Sequence, residues 1–234
     1  MIDFHSHILP GIDDGSQRTA DSVEMLRRLQ QQGVDIVALT PHFYADHTSV
    51  EKFLQKRQAA FERLCGVLTD EAPRLLLGAE VLYYPGISHL DGLSELCLEG
   101  TDVLLLEMPF SHWSEYAVRE VCEMAVSGEI TVLLAHIERY LAFQKKAVWN
   151  RLAENGVYMQ CNAEFFLAPV LRQRAIQMLR QDRIHVLGTD THNLTTRAPH
   201  MDAAVTYIER RMGAGYGEIL ERRGYDFLEY RSHG

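Results

Sequence analysis

Seven short apolar runs recur along the chain, with stretches of helical period between most of them, and this alternation restricts the folds open to it. The runs are Met1–Phe4, Asp35–Thr40, Leu75–Val81, Asp102–Glu107, Thr131–Ala135, Val157–Asn162 and Ile184–Thr189. Their near-continuous apolar character predicts strands buried on both faces, as in a parallel sheet. Helices are expected over Asp21–Gln32, Val50–Leu68, Ser114–Ser127, Lys145–Asn155, Pro169–Arg180 and Met201–Met212. Val23, Leu26 and Leu29 share one side of the first, which stops at Gly33, a residue suited to a helix C-terminus. Leu82–Gly100 is the least regular crossover. Such alternation predicts an α/β fold built as a (β/α) barrel, closed or distorted, with an open doubly wound sheet as the runner-up. With 234 residues and no low-complexity linker or internal repeat, one domain over residues 1–234 is expected.

Either architecture places an active site at the carboxyl ends of the strands. His5 and His7 leave the first run, and period two puts both imidazoles on one face of an extended backbone. His42 leaves the second run, Glu80 sits late in the third, Glu107 ends the fourth and His136 follows the fifth. Asp190 and His192 follow the seventh. Any one of these alone is ordinarily a loop hydrogen-bonding group. Together they are harder to explain that way, because clustered buried carboxylates are costly without cations to neutralise them. The joint pattern points to a multinuclear metal site, and imidazole plus carboxylate without thiolate suits Mn²⁺, Zn²⁺ or Fe²⁺.

Composition removes several alternatives. Lys plus Arg number 23 against 32 Asp plus Glu, a net charge of −9, which disfavours a general nucleic-acid or anionic-membrane binder. Cys65, Cys97, Cys122 and Cys161 contain no Cys-x-x-Cys and read as reduced thiols of a cytoplasmic protein. Neither a signal peptide nor a membrane-spanning stretch is visible. Cys161 lacks a surrounding Gly-rich, Arg-ending phosphate loop and reads as a core thiol. His47, His89, His112, His185 and His233 have no partner pattern and receive no role.

Three segments carry a family resemblance: residues 1–15 with Asp3-Phe4-His5-Ser6-His7 and Asp13-Asp14-Gly15, Ala135-His136-Ile137-Glu138-Arg139-Tyr140, and Asp190-Thr191-His192-Asn193-Leu194. Arg197-Ala198-Pro199-His200-Met201 completes the set. The chain resembles the polymerase and histidinol phosphatase (PHP) superfamily of metal hydrolases over essentially its whole length. It is most similar to the manganese-dependent bacterial protein-tyrosine phosphatases of capsule and exopolysaccharide operons. The resemblance implies a distorted seven-stranded (β/α)7 TIM-like barrel with three divalent metal ions, Mn²⁺ first among them, at its mouth. By motif, one metal takes His5, His7, Glu80 and Asp190. A second shares Glu80 as a bridge and adds Glu107 and His136, and a third takes Asp14, His42 and His192. Asp14 rather than Asp13 is carried over because it precedes Gly15; Asp13 is left to support a ligand or cap a helix.

Three divalent cations against four carboxylates leave that inner shell at about +2, so a phosphate ester is the expected substrate despite the acidic chain. Hydrolysis then needs no side-chain nucleophile, because a water bridging two metals supplies hydroxide. Arg139 and Arg197, close behind ligand positions, match phosphate-binding arginines of the tyrosine-phosphatase branch and suit that task by their planar fork. His200 is a candidate leaving-group acid. Phe43, Tyr44, Phe110 and Trp113 are candidates to wall an aryl pocket. The implied partner is a phosphotyrosine protein, the tail of a bacterial tyrosine autokinase. The competing readings are a small-molecule phosphatase such as one for histidinol phosphate, and a non-catalytic metal-binding regulator.

Overall fold

The computed structural model describes residues 1–69 and 71–230, without the side chain of Tyr230; His233 lies outside the described residues. Among the described residues nine strands are present: β1 (Ile2–Ser6), β2 (Ile36–Leu39), β3 (His42–Phe43), β4 (Arg74–Leu77), β5 (Glu80–Leu82), β6 (Val103–Glu107), β7 (Thr131–Leu134), β8 (Tyr158–Asn162) and β9 (Val186–Gly188). Their hydrogen-bonded ladders run β1-β2-β4 and β3-β5-β6-β7-β8-β9, and every pair is parallel. Beyond the ladders, Ser6 bridges Thr191, the His7 N–H donates to the Thr191 carbonyl at 2.9 Å, and the Asp190 N–H donates to the His5 carbonyl at 2.7 Å. These contacts bring the end of β9 back to β1, so the sheet curls instead of lying open.

The count of seven strands is not what the hydrogen bonds give. The expected second run, Asp35–Thr40, corresponds to β2, and a further short strand, β3, follows it beyond Thr40-Pro41, where proline has no N–H to give a ladder. The third divides into β4 and β5 across Gly78-Ala79, where a Cβ at Gly78 would stand 2.6 Å from Leu98 Cδ2. The breaks matter for function, because they leave His42 and Glu80 as register partners in the short second segments.

Among the described residues seven α-helices are present: α1 (Thr19–Gln31), α2 (Val50–Cys65), α3 (Glu115–Ser127), α4 (Lys146–Glu154), α5 (Arg172–Arg180), α6 (Met201–Met212) and α7 (Tyr216–Tyr230). Ser49 and Ser114 cap α2 and α3 by accepting from Lys52 N and Ala117 N. α5 starts later than expected, and α7 is a helix that the apolar spacing alone did not announce. Leu82–Gly100 contains two short 3₁₀ turns, Ile87–His89 and Leu93–Leu96. Glu120 of α3 ties that crossover down by accepting from Tyr83 Oη at 2.8 Å, Gly86 N at 3.1 Å and Ser88 Oγ at 2.8 Å.

Both faces of the sheet are buried. Val37, Leu39, Leu104, Leu106, Val132 and Leu134 pack with the helices in one cluster. Ile36, Ala38, Leu105, Leu133 and Val186 form a second with Phe4 and with Phe227 and Leu228 of α7. On that second face Leu105 leads by period two to Glu107, and Tyr158 leads to Gln160 and Asn162. The polar centre is therefore the continuation of an apolar core. Among the described residues no helix is long and apolar enough to cross a membrane.

Candidate metal centre

The eight residues expected at the strand ends, and Asp14 with them, meet at one mouth. Three clusters each place ligand-type atoms within 4.8 Å of one another: His5 with His7 and Asp190; His7 with Asp14, His42 and His192; and His42 with Glu80 and Glu107. His136 completes the set, with Nε2 2.8 Å from Glu80 Oε1 and 3.4 Å from Glu107 Oε1. Glu80 is at the middle, 3.3 Å from His5 Nε2, 3.2 Å from His7 Nε2 and 2.9 Å from His42 Nδ1. Asp14 is at the rim, two-thirds exposed, and 3.4 Å from Nε2 of both His42 and His192. Asp13 turns the other way: its Oδ2 accepts from His7 Nδ1 at 2.8 Å and from the His42 N–H at 3.1 Å.

The far nitrogens of three imidazoles are already committed. His7 Nδ1 faces Asp13, His5 Nδ1 lies 3.2 Å from Gln160 Oε1, and His192 Nδ1 lies 2.9 Å from the Asp190 carbonyl. Each of these partners is an acceptor, so the Nδ1 atoms carry protons and the Nε2 atoms are the ones left facing inward. His5 Nε2 and His7 Nε2 stand only 3.1 Å apart. Among the described residues four buried atoms of the centre make no well-formed hydrogen bond: His136 Nδ1, His192 Nε2, and His42 Nδ1 and Glu80 Oε2, which face one another at 2.9 Å as an ion pair. Buried polar atoms are nearly always satisfied. Orphaned imidazole and carboxylate atoms around a shared point fit divalent cations, and the outer hydrogen bonds are the kind that orient ligands.

Electrostatics agree. Burial opposes charge on His7, but Asp13 and Glu80 overcome it and raise its pKa to about 10. Burial likewise opposes charge on His136, and Glu107 with Glu80 raises it to about 9. Burial and the neighbouring His7 lower His192 to about 4. Burial would raise Glu80, yet the surrounding imidazoles hold it well below the carboxylate range. The carboxylates thus demand cations, and protons and metal ions compete for the same nitrogens.

Arg139 and Arg197 both reach this cluster. Arg139 Nη2 pairs with Asp190 Oδ2, and Arg197 Nη2 pairs with Asp190 Oδ1 at 2.7 Å. His200 precedes α6, is exposed, and lines a recess with Asn162, Asp190 and the two arginines. The aromatic candidates divide. Phe43 is buried edge-on against Phe53, and Trp113 packs between Tyr140 and Trp149, so both belong to packing. Phe110 is 51% exposed and stacks 5.8 Å from the His136 ring. Tyr44 stacks 5.2 Å from His42 and lines a second hollow with Asp14 and Lys56. Cys161 is buried and its thiol is pushed well up by burial, as a core thiol should be.

Two buried residues of the centre carry no charge and escape a search for acids and imidazoles: Gln160 and Asn162 of β8. Their signal was polar alternation, at period two, inside an otherwise apolar run. Asp3 escaped too; it accepts from Thr189 N at 2.8 Å and Thr189 Oγ1 at 2.6 Å.

A family model described as capsular polysaccharide synthesis, CpsB/CapC, matches residues 1–224. The tyrosine-protein phosphatase CpsB of Streptococcus pneumoniae is 31% identical over 235 residues, covering 92% of this chain and 92% of that protein. The tyrosine-protein phosphatase YwqE of Bacillus subtilis (strain 168) is 29% identical over 220 residues, covering 92% and 86%. A solved structure from work on YwqE and CpsB, described as unique metal-dependent tyrosine phosphatases, superposes with a TM-score of 0.84 at 26% identity, covering 99% of this chain and 95% of that one. The family model spans residues 1–224 and the similarity to CpsB covers nine-tenths of both chains, and on that ground this chain belongs to the CpsB/CapC family of capsular polysaccharide synthesis.

Proposed function

We propose that the chain is a metal-dependent protein-tyrosine phosphatase, with the curled sheet acting as a seven-stave barrel over the whole chain. The observation that carries the reading is the pair Arg139 and Arg197 on Asp190, at the edge of a cluster of imidazoles and carboxylates. Cations and arginines side by side make a seat for phosphate. The family relatives named tyrosine-protein phosphatases support phosphotyrosine as the ester.

His5, His7, Glu80 and Asp190 would hold one divalent ion, Glu80, Glu107 and His136 a second, and Asp14, His42 and His192 a third, with Mn²⁺ the first choice. When bound, such ions supply positive charge to phosphate oxygens and acidify water. The protein's own groups do the rest. Each arginine keeps N–H donors beyond the one on Asp190, and these hold the equatorial oxygens whose charge must be stabilised in phosphoryl transfer. Asp13 and Gln160 keep His7 and His5 aimed inward. Phe110 and Tyr44 flank the mouth and would wall the aryl ring. A tyrosine leaving group has a pKa of about 10, so it needs little protonation, and His200 beside Arg197 would supply what is needed. The partner would be the phosphotyrosine tail of a tyrosine autokinase in the cytoplasm, entering a mouth that opens at the rim.

The test strips the protein with a chelator, reloads Mn²⁺, and compares a phosphotyrosine peptide with a phosphoserine peptide and histidinol phosphate. Metal-dependent preference for phosphotyrosine is expected. Preference for histidinol phosphate, or no turnover of any ester, overturns the proposal.

A further inference from the structure

Strand β8 supplies none of the groups assigned above to metal or phosphate, yet two carboxamides from it lie inside the centre. Gln160 is 0% exposed and Asn162 is 6% exposed. Burying a carboxamide is favourable only when its hydrogen bonds are made, and here the bonds run in one direction. The His136 backbone N–H, which can only donate, lies 2.7 Å from the Gln160 side chain and so identifies the contacting atom as Oε1. The same oxygen faces His5 Nδ1 at 3.2 Å, which makes that ring nitrogen the donor. Gln160 Nε2 then donates to Asn162 Oδ1 at 3.0 Å, and Asn162 Nδ2 donates to Asp190 Oδ2 at 3.0 Å.

The chain of amides begins at His5 and His136 and ends at Asp190. Two of these residues need restraint, because His136 has φ 31° and Asp190 φ 52°, in the left-handed region that non-glycine residues avoid. The space for the amide is kept open by Gly188, where a Cβ would stand 2.8 Å from Gln160 Nε2 and 2.6 Å from His5 Cβ. A glutamine of the ordinary core would be satisfied by any nearby backbone. The side-chain bonds of Gln160 instead go to His5, to the backbone of His136, and through Asn162 to Asp190.

We infer that Gln160 and Asn162 are positioning residues: a one-way amide relay that fixes the Nδ1–H tautomer of His5 and aims His5, His136 and Asp190 at the metals. The inference rests on the metal-site reading but not on the choice of phosphotyrosine as substrate. Outer partners of this kind change metal affinity by about 10- to 100-fold.

The test uses Zn²⁺-loaded protein for NMR of the histidine ring N–H protons, and chelator competition for Mn²⁺ affinity. Neither readout needs turnover, so failure of the substrate reading leaves it intact. In the parent protein the His5 Nδ1–H should be protected from exchange. Gln160→Ala should lose that protected proton and weaken Mn²⁺ binding at least tenfold. Gln160→Met fills the same space without an acceptor and should lose the proton as Gln160→Ala does, whereas Gln160→Glu still offers an acceptor and should retain it, a difference that a space-filling role does not predict. Asn162→Ala should keep the His5 proton and weaken Mn²⁺ several-fold through Asp190; it decides the matter if Gln160→Ala does not fold. Retention of the proton and Mn²⁺ affinity within twofold in Gln160→Ala overturns the relay. So does equal loss of the proton in the Ala and Glu variants, or unchanged Mn²⁺ affinity in Asn162→Ala.

Discussion

At the scale of single residues, the centre separates groups that hold cations from groups that hold phosphate. The Arg139 guanidinium pairs with Asp190, whose other neighbours include His5 and Arg197. Arg139→Ala should therefore lower kcat/KM on a phosphotyrosine peptide by more than about tenfold, in line with the loss of one group that stabilises transition-state charge. Metal content by elemental analysis should stay at the parent level. Near-normal turnover would remove Arg139 from the phosphate seat. The charged and imidazole residues of this site were legible because their chemistry is distinctive and they recur at strand ends. Gln160, Asn162 and Asp3 were not, since an amide or a single acid inside an apolar run has no distinctive signature until its partners are known. The division of labour between Asp13 and Asp14 was expected from the motif, and the structure turns Asp13 onto His7 and Asp14 toward His42 and His192.

At the scale of elements, Asp3 shows how one buried side chain joins the ends of the sheet. It sits in β1 and bonds the residue that follows β9, and burial lifts its carboxyl to about 6. Asp3→Asn keeps an acceptor for Thr189 N and a donor for the Thr189 hydroxyl, so it should leave the melting temperature near the parent value. Asp3→Ala leaves buried donors without partners and should cost about 1–3 kcal/mol in denaturant unfolding. Equal stability of the two variants would show that Asp3 is not the tie. Most of the strands were readable from apolar runs, and the helix patterns α1 to α6 from period, with the start of α5 placed three residues early. The split at Gly78-Ala79 was not, because a local break in hydrogen bonding leaves the apolar run intact, and neither was β3, whose two residues are too few to show a period. Nor was α7, whose Phe227 and Leu228 take their meaning only from Phe4 and the sheet they cover.

At the scale of the whole molecule, the centre stores electrostatic tension that cations relieve. His7 and His136 have their pKa values raised to about 10 and about 9 by burial-defying contacts with Asp13, Glu80 and Glu107. A raised imidazole pKa stabilises the fold fully below its ordinary value of about 6.5 and ceases to do so as pH rises through the folded value. Chelator-treated protein should therefore lose thermal stability between pH 7 and 10. Metal must displace those protons, so Mn²⁺ affinity should climb over the same range, and the rise in melting temperature on adding Mn²⁺ should grow with it. Differential scanning fluorimetry across the pH series measures both. A Mn²⁺ effect that is flat or shrinks with pH would contradict this account.

The sequence by itself determined the alternation of strand and helix, the residue types at the strand ends and the chemistry they favour, because periodicity and ligand identity are local properties. Tertiary structure alone decided which groups meet. Glu80 stands among four imidazoles because β3 and β5 pair in register and the sheet curls until β1 meets the end of β9. It also decided which nitrogen of each histidine faces inward, since a tautomer is set by the partner on the far side of the ring, and for His5 that partner is an amide 155 residues away.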